Sequence, residues 1–322
     1  MNAQLDHCEP PYRSVDLATL FKSPPPEWLV YEILQGEGLS FLYGEAGCGK
    51  TFLAIDIAGA VARGAAWAGK PTQKGAVLYV ATEDSSGLST RMRAYCSEHP
   101  LDVSSMPFRV WREGLDLLDP TSVSHLVDEA RLITDLRLIV IDTFAAAMPG
   151  DENASSDVGK AIRSLNKIRQ EAQSSILVLH HTGKEQDRGM RGWSGLKGAA
   201  DTIVRVKSAQ DGFSATVERH RNWHSGEKIR FRLAERVIDS QDFESVSCVV
   251  EHLGEQVSTC VRTDLQRSIL EAHAGLDTNC NGDCTMEMLA DLVVTRGVTS
   301  NTSNIRRSIK NLVDQGLLKL SG

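Results

Sequence analysis

The chain has 322 residues, with 35 Lys and Arg against 42 Asp and Glu and a net charge of −7. That length buries a full α/β core with residues to spare for a small appendage, which excludes a minimal binding module. The acidic balance, with an isoelectric point near 5.7, excludes a protein that coats nucleic acid over its whole surface and confines any such contact to a local basic loop.

Residues 1–35 read as an irregular arm, because Pro10-Pro11 and Pro24-Pro25-Pro26 fix φ and forbid regular helix. From about 38 to 206, short apolar runs alternate with helical patterns. The expected order is a strand at Leu39–Tyr43, a helix at 51–63, a strand at Val77–Ala81, a helix at 87–98, a strand at Phe108–Trp111 and a helix at 121–133. A strand at Leu138–Ile141, a helix at 155–172 and strands at Ile176–His180 and Thr202–Val206 follow. Such alternation predicts an α/β fold, a mainly parallel sheet covered by helices. Beyond 206 the strands Phe213–Glu218, Lys228–Leu233 and Val246–Val250, joined by turns at Gly212 and Ser225-Gly226, predict an antiparallel extension of that sheet. The last sixty residues form a separate unit over 262–322. Helical patterns at 264–274, 285–295 and 301–315 precede Leu317-Leu318-Lys319-Leu320, the outline of a winged-helix-like domain.

The seven cysteines are scattered and odd in number, which fits reduced thiols better than a disulfide framework. Cys280 and Cys284, near His273, miss the usual zinc-pair spacing, and no second pair follows. No apolar run has the length of a membrane span, and the N-terminus lacks a signal-peptide core. A soluble, cytoplasmic protein with no membrane partner is expected.

Gly44-Glu45-Ala46-Gly47-Cys48-Gly49-Lys50-Thr51 is a complete G-x-x-x-x-G-K-[ST] phosphate loop set between a strand and a helix. Its glycines let backbone N–H groups turn inward around a β-phosphate, Lys50 reaches the β and γ oxygens, and the Thr51 hydroxyl is placed for Mg²⁺. A nucleoside triphosphate, with ATP and Mg²⁺ as the pair, is the expected ligand. Leu138-Ile139-Val140-Ile141-Asp142 ends in an acid at the carboxyl edge of the sheet, where Asp142 can hold a Mg²⁺-bound water or merely cap the next turn. The strand Val77–Ala81 leads to Thr82-Glu83-Asp84, and Glu83 is the better general base for the attacking water.

The strand ending in His180-His181 brings a histidine beside the site, able to hydrogen-bond a γ-phosphate. Residues 182–198 follow, with Lys184, Arg188, Arg191 and Lys197 against only Glu185 and Asp187. This loop suits a grip on a DNA backbone, and it equally suits an ordinary solvated surface. Arg219 and Arg221, at a strand end, can reach a phosphate in a neighbouring subunit or bind carboxylates of this acidic chain.

In order and combination these motifs resemble the RecA-fold hexameric ATPases, and among them the RepA-like replicative helicases of plasmids and mobile elements. The resemblance covers about residues 24–235 and adds Asp151-Glu152-Asn153-Ala154-Ser155, His180-His181-Thr182-Gly183-Lys184, and Arg191-Gly192-x-Ser194 leading to Ala199-Ala200-Asp201. It implies a RecA-like ATPase core over 36–255, His181 as the γ-phosphate sensor, and the 182–198 loop lining a channel for single-stranded DNA. It also implies Arg219-x-Arg221-Asn222 as an arginine element acting in trans, with Arg205 as a second candidate. A homo-oligomer, a hexameric ring, is implied as well. No helical collar, primase or zinc module is present in the sequence given, so loading and priming fall to a separate initiator, loader or primase. The tail, with Arg306, Arg307 and Lys310 on its third helical pattern, lies outside the resemblance and suits either DNA recognition or protein docking. Two functions stand at this stage: an ATP-driven ring helicase translocating on single-stranded DNA, and an ATP-gated DNA- or protein-binding assembly factor that unwinds nothing.

Overall fold

The computed structural model describes residues 16–22, 27–83, 85–99, 102–182, 195–239, 244–253 and 285–295, with single positions at 268, 269, 272, 302, 305, 306 and 308–310. The chain divides into two compact units, Met1–Gly254 and Glu255–Gly322.

The first unit begins with α1 (Leu17–Phe21), followed by β1 (Trp28–Val30) and β2 (Leu34–Gln35), which pair as an antiparallel ribbon. This corrects the expected irregular arm over its last residues. Leu29, Val30, Ile33 and Leu34 are all buried in the main core, because four apolar side chains directly after the proline run gain more from burial than a free arm could offer.

Next come β3 (Leu39–Gly44), α2 (Lys50–Arg63), β4 (Ala76–Ala81), α3 (Ser85–Glu98), β5 (Phe108–Trp111), α4 (Pro120–Leu132) and β6 (Leu136–Asp142). They are followed by α5 (Phe144–Ala147), α6 (Ser155–Ala172), β7 (Ser175–His181), α7 (Gly195–Ala199), β8 (Thr202–Ala209), β9 (Gly212–His220), β10 (Lys228–Asp239) and β11 (Glu244–Leu253). One nine-stranded sheet has the order β11-β10-β9-β8-β3-β7-β6-β4-β5. The six strands from β8 to β5 run parallel, and β9, β10 and β11 continue antiparallel. The division follows the connections: helical crossovers carry the chain between parallel strands, whereas short turns such as that at Gly212 can join only antiparallel ones.

Helices cover both faces. On one face α2 is buried on nearly every side from Leu53 to Val61, because β10 and β11 curl back towards it. Its small residues permit that enclosure: a Cβ on Gly59 would lie 2.2 Å from the Tyr95 ring of α3. Asp56 of α2 is buried and accepts a hydrogen bond from Trp67 Nε1 at 2.8 Å, and its Oδ2 lies 2.8 Å from His252 Nε2 on β11. The opposite face carries α4, α5 and α6, the last presenting Val158, Ala161, Leu165 and Ile168 to the sheet as its spacing predicts.

In the second unit, α8 (Met286–Thr295) and the described helical positions of the other two segments fall where helical patterns are predicted. Ile269, Ala272, Leu289, Ala290, Val293, Ile305 and Ile309 form its apolar core, with Arg306 and Lys310 exposed. Arg307 and the expected strand at 317–320 lie outside the described residues, as do Cys280 and Cys284. Among the described residues no helix is long and apolar enough to cross a membrane.

Candidate nucleotide site

Gly44 ends β3 with His181 of β7 and Val206 of β8 as its register partners. A Cβ there would meet the Val206 carbonyl oxygen at 2.4 Å and Cys48 Sγ at 2.6 Å, so only glycine lets the loop leave the sheet at this point. Gly47 and Gly49 take φ of 77° and 82°, left-handed values that turn the chain into α2. Glu45, Ala46 and Gly47 are exposed, while Cys48, Gly49 and Lys50 are buried. Lys50 Nζ donates to the Gly44 carbonyl at 3.0 Å and the Glu45 carbonyl at 2.7 Å, folding the ammonium over its own loop. Burial pushes the Lys50 pKa down, opposed by Cys48, Asp142 and Glu83. Burial likewise pushes the Cys48 thiol up, although the Lys50 charge beside it pulls the other way.

Two acids approach this ammonium from neighbouring strands. Asp142, the last residue of β6, accepts from the Tyr79 hydroxyl at 2.8 Å and from the Thr51 side chain. Burial raises the Asp142 pKa; the bonds from Tyr79 and Thr51 work against that shift, and the charge of Glu83 adds to it. Glu83, just past β4, is exposed, and its Oε1 accepts from Thr143 Oγ1 at 2.5 Å. The two strand ends are stitched together by Thr82, whose hydroxyl donates to the Asp142 carbonyl at 2.7 Å and accepts from the Thr143 N–H at 2.8 Å. The fold thereby gathers Lys50, Thr51, Glu83 and Asp142 at the carboxyl ends of β3, β4 and β6. The oxygen-only pair of Thr51 and Asp142 suits a hard divalent cation such as Mg²⁺.

Tyr79, Thr82 and Thr143 are site residues that the sequence reading misses. A signal is present, since a threonine stands directly beside each of the two acids. His181 sits across from Gly44, whose carbonyl also accepts from the Thr182 N–H at 3.2 Å. His180 is fully buried with its ring edge-on to Phe144 at 5.0 Å.

The cationic candidates separate. Lys184, Arg188 and Arg191 lie outside the described residues, and Lys197 is on α7, half-buried. Arg219 and Arg221 are not near Gly44–Thr51 in the same chain, because the end of β9 pairs with the start of β8, at the amino edge of the parallel strands. There the Arg219 guanidinium donates to the Lys197 carbonyl, and Arg221 donates to the carbonyls of Gly198 at 2.9 Å and Ala199 at 3.3 Å. Arg221 also pairs with Asp201 at 3.0 Å, and the other Asp201 oxygen accepts from the Leu39 N–H at 2.9 Å. Arg205 lies nearer the loop, one residue before the partner of Gly44. It is over the Tyr43 ring at 5.7 Å and 3.4 Å from Glu218, which also accepts from the Tyr43 hydroxyl at 2.5 Å.

A parallel sheet in this order, with a phosphate loop leaving β3 and acids at the ends of β4 and β6, defines a RecA-like P-loop ATPase core. The chain belongs to the AAA domain family, which matches residues 8–187. A DNA repair and recombination protein RadB from Methanococcus maripaludis is 22% identical over 229 residues, covering 66% of this chain and 97% of that protein. Among solved structures, a RadB recombinase is 18% identical with a TM-score of 0.47, over 62% of this chain and 88% of that one. A second solved structure, the ATPase domain of another protein, is 13% identical with a TM-score of 0.47, over 61% of this chain and 81% of that one.

Proposed function

We propose that the protein is an ATP-driven DNA motor, a ring-shaped helicase whose subunits translocate on single-stranded DNA. The observation that carries this reading is the gathering of Lys50, Thr51, Glu83 and Asp142 at the carboxyl ends of β3, β4 and β6, with His181 ending β7 between β3 and β6. In this reading the loop Gly44–Thr51 wraps the triphosphate, and Lys50 exchanges the neutral carbonyls of Gly44 and Glu45 for charged phosphate oxygens, which are stronger acceptors. Glu83, oriented by Thr143, takes the proton of the attacking water. Thr51 and, through water, Asp142 would hold Mg²⁺, which supplies charge neutralisation at the β and γ oxygens. His181 reads the γ-phosphate, and Lys184, Arg188, Arg191 and Lys197 contact the DNA backbone.

Arg219 and Arg221 are the candidates for the arginine acting across a subunit interface, with Arg205 as the alternative. Either of the first two reaches a neighbour only by releasing the carbonyls of α7, which ties that exchange to the end of the DNA-contacting segment. The assembly is a homo-oligomer, a hexamer, loaded by a separate initiator or primase. Single-stranded DNA should stimulate hydrolysis, with stimulation falling steeply as salt rises. Neutralising Arg188 and Arg191 together should abolish it while nucleotide binding persists; stimulation surviving that change defeats the assignment of the loop.

A second reading, an ATP-gated assembly factor or regulator that binds DNA without unwinding it, is favoured by the recombination protein among the relatives. A forked-duplex assay separates the two. Removal of residues 262–322 sharpens it, since the motor keeps its hydrolysis and the regulator loses its target.

A further inference from the structure

The second unit divides its charge between two helical stretches. On α8 the exposed positions include Glu287 and Asp291, together with Met288 and Val294. Residues 296–301, with Gly297 among them, lead to the next stretch, where the described positions 302, 305, 306 and 308–310 are helical. There Ile305 and Ile309 share the core with Leu289, Ala290 and Val293 of α8, while Thr302, Arg306 and Lys310 are exposed. The exposed three recur every fourth residue and so lie along one face of the helix. From Leu292 to Val313 the sequence carries Arg296, Arg306, Arg307 and Lys310 and no acid, in a chain whose net charge is −7.

Several classes of partner fit a cationic helix, and the composition of the unit separates them. A protein partner is gripped by buried aromatic or apolar anchors. None of the chain's Phe, Tyr or Trp lies in 255–322, and the large apolar side chains exposed among the described residues of this unit, Met288 and Val294, are on α8 beside its acids. A single strand is held by stacking its unpaired bases on aromatic rings, which this unit lacks. Duplex DNA needs neither kind of anchor. It needs cations along a rigid rod that fits the major groove, and an α-helix about 10–12 Å across enters a B-form groove about 12 Å wide. The deep, narrow groove of duplex RNA does not admit one.

We propose that the helix face carrying Thr302, Arg306 and Lys310 is a binding site for duplex DNA. Arg306 and Lys310 stand about 6 Å apart along the helix axis, so each holds a phosphate of its own, and the Thr302 hydroxyl donates to the same backbone. Glu287 and Asp291 repel phosphate, which keeps α8 away from the duplex and fixes the helix that faces it. The site is distinct from the 182–198 segment, to which the unpaired strand is assigned, and it stands whether or not the chain separates strands.

The test uses the full chain without nucleotide and a fluorescein-labelled DNA duplex of mixed sequence, read by anisotropy beside one of its strands alone and the matching RNA duplex. The wild type should bind the DNA duplex more tightly than the RNA duplex. R306Q combined with K310Q should weaken DNA-duplex binding about ten-fold and lower the slope of log affinity against log salt by about two, one for each phosphate released. Affinity for the single strand, basal hydrolysis and melting should stay as in the wild type. R306K combined with K310R, which keeps both charges, should keep duplex binding. No duplex binding by the wild type, equal affinity for the DNA and RNA duplexes, a salt slope untouched by R306Q/K310Q, or an equal loss in R306K/K310R overturns the proposal. Loss of single-strand and duplex binding together in R306Q/K310Q also overturns it, by identifying a general anion surface.

Discussion

The two edges of the parallel sheet use charge in opposite ways. At the carboxyl edge Lys50, Glu83 and Asp142 converge from three strands, and the Lys50 ammonium is satisfied by backbone carbonyls of a loop that exposes Glu45, Ala46 and Gly47 to solvent. At the amino edge, by contrast, Arg221 adds to its bonds with the carbonyl end of α7 an ion pair with Asp201, which in turn holds the Leu39 N–H. Charges held by neutral carbonyls are free to move to a better acceptor. Charges closed into an ion pair with a shielded carboxylate brace the fold. The same strand, β3, thus has a reactive end and a braced end within its six residues.

Substitutions break the contrast in graded steps. Lys50→Ala removes the ammonium aimed at the β and γ oxygens and should abolish hydrolysis, with nucleotide binding measured separately by a fluorescent analogue. Glu83→Gln, which keeps shape and hydrogen bonding but removes the base, should lower the hydrolysis rate by about 10²–10⁴-fold at unchanged nucleotide affinity. Arg221→Ala tests whether the braced end also acts on a neighbour. Hydrolysis should fall by on the order of 10³-fold, and mixing this variant with Lys50→Ala subunits should restore part of it, because each supplies what the other lacks. A fall in melting temperature with no loss of hydrolysis would leave Arg221 a brace alone.

Thr143→Val frees Glu83 from its hydroxyl partner and should cost about 10–100-fold in turnover, less than loss of Glu83 itself. The smallest effect is on stability. Burial raises the Asp142 pKa in the folded state, so the ionised carboxylate costs stability at neutral pH, and that cost fades as the pH falls through the folded value towards the unfolded one. Asp142→Asn, still able to accept from Tyr79, should therefore melt above the wild type at neutral pH, with the gap closing in acid. Paired melting curves at the two pH values check the sign.

The α/β alternation and the phosphate loop are legible in the sequence because each depends on local pattern. Continuous apolar runs such as Leu138–Ile141 and the glycine spacing of 44–51 carry their own explanation. What depends on distant partners is not legible in this way. Burial of Leu29 and Leu34 requires knowing that α2 and its surroundings leave room for them, and the proline run nearby argues locally for an arm. The cis engagement of Arg219 and Arg221 depends on the β8–β9 register, which places the end of one strand beside the start of the other. Thr82 and Thr143 stand beside the acids in plain sight, yet their part comes from β4 and β6 lying side by side despite a whole strand and two helices between them in the chain.

The bond between Asp56 and His252 has a mechanical reading. Asp56 lies in the second turn of the helix that springs from the phosphate loop, and His252 stands two residues before the chain leaves the first unit at Gly254. A shift of that helix along its axis must either drag the exit point with it or snap the tether, so the doorway to the tail is wired to the floor of the nucleotide seat.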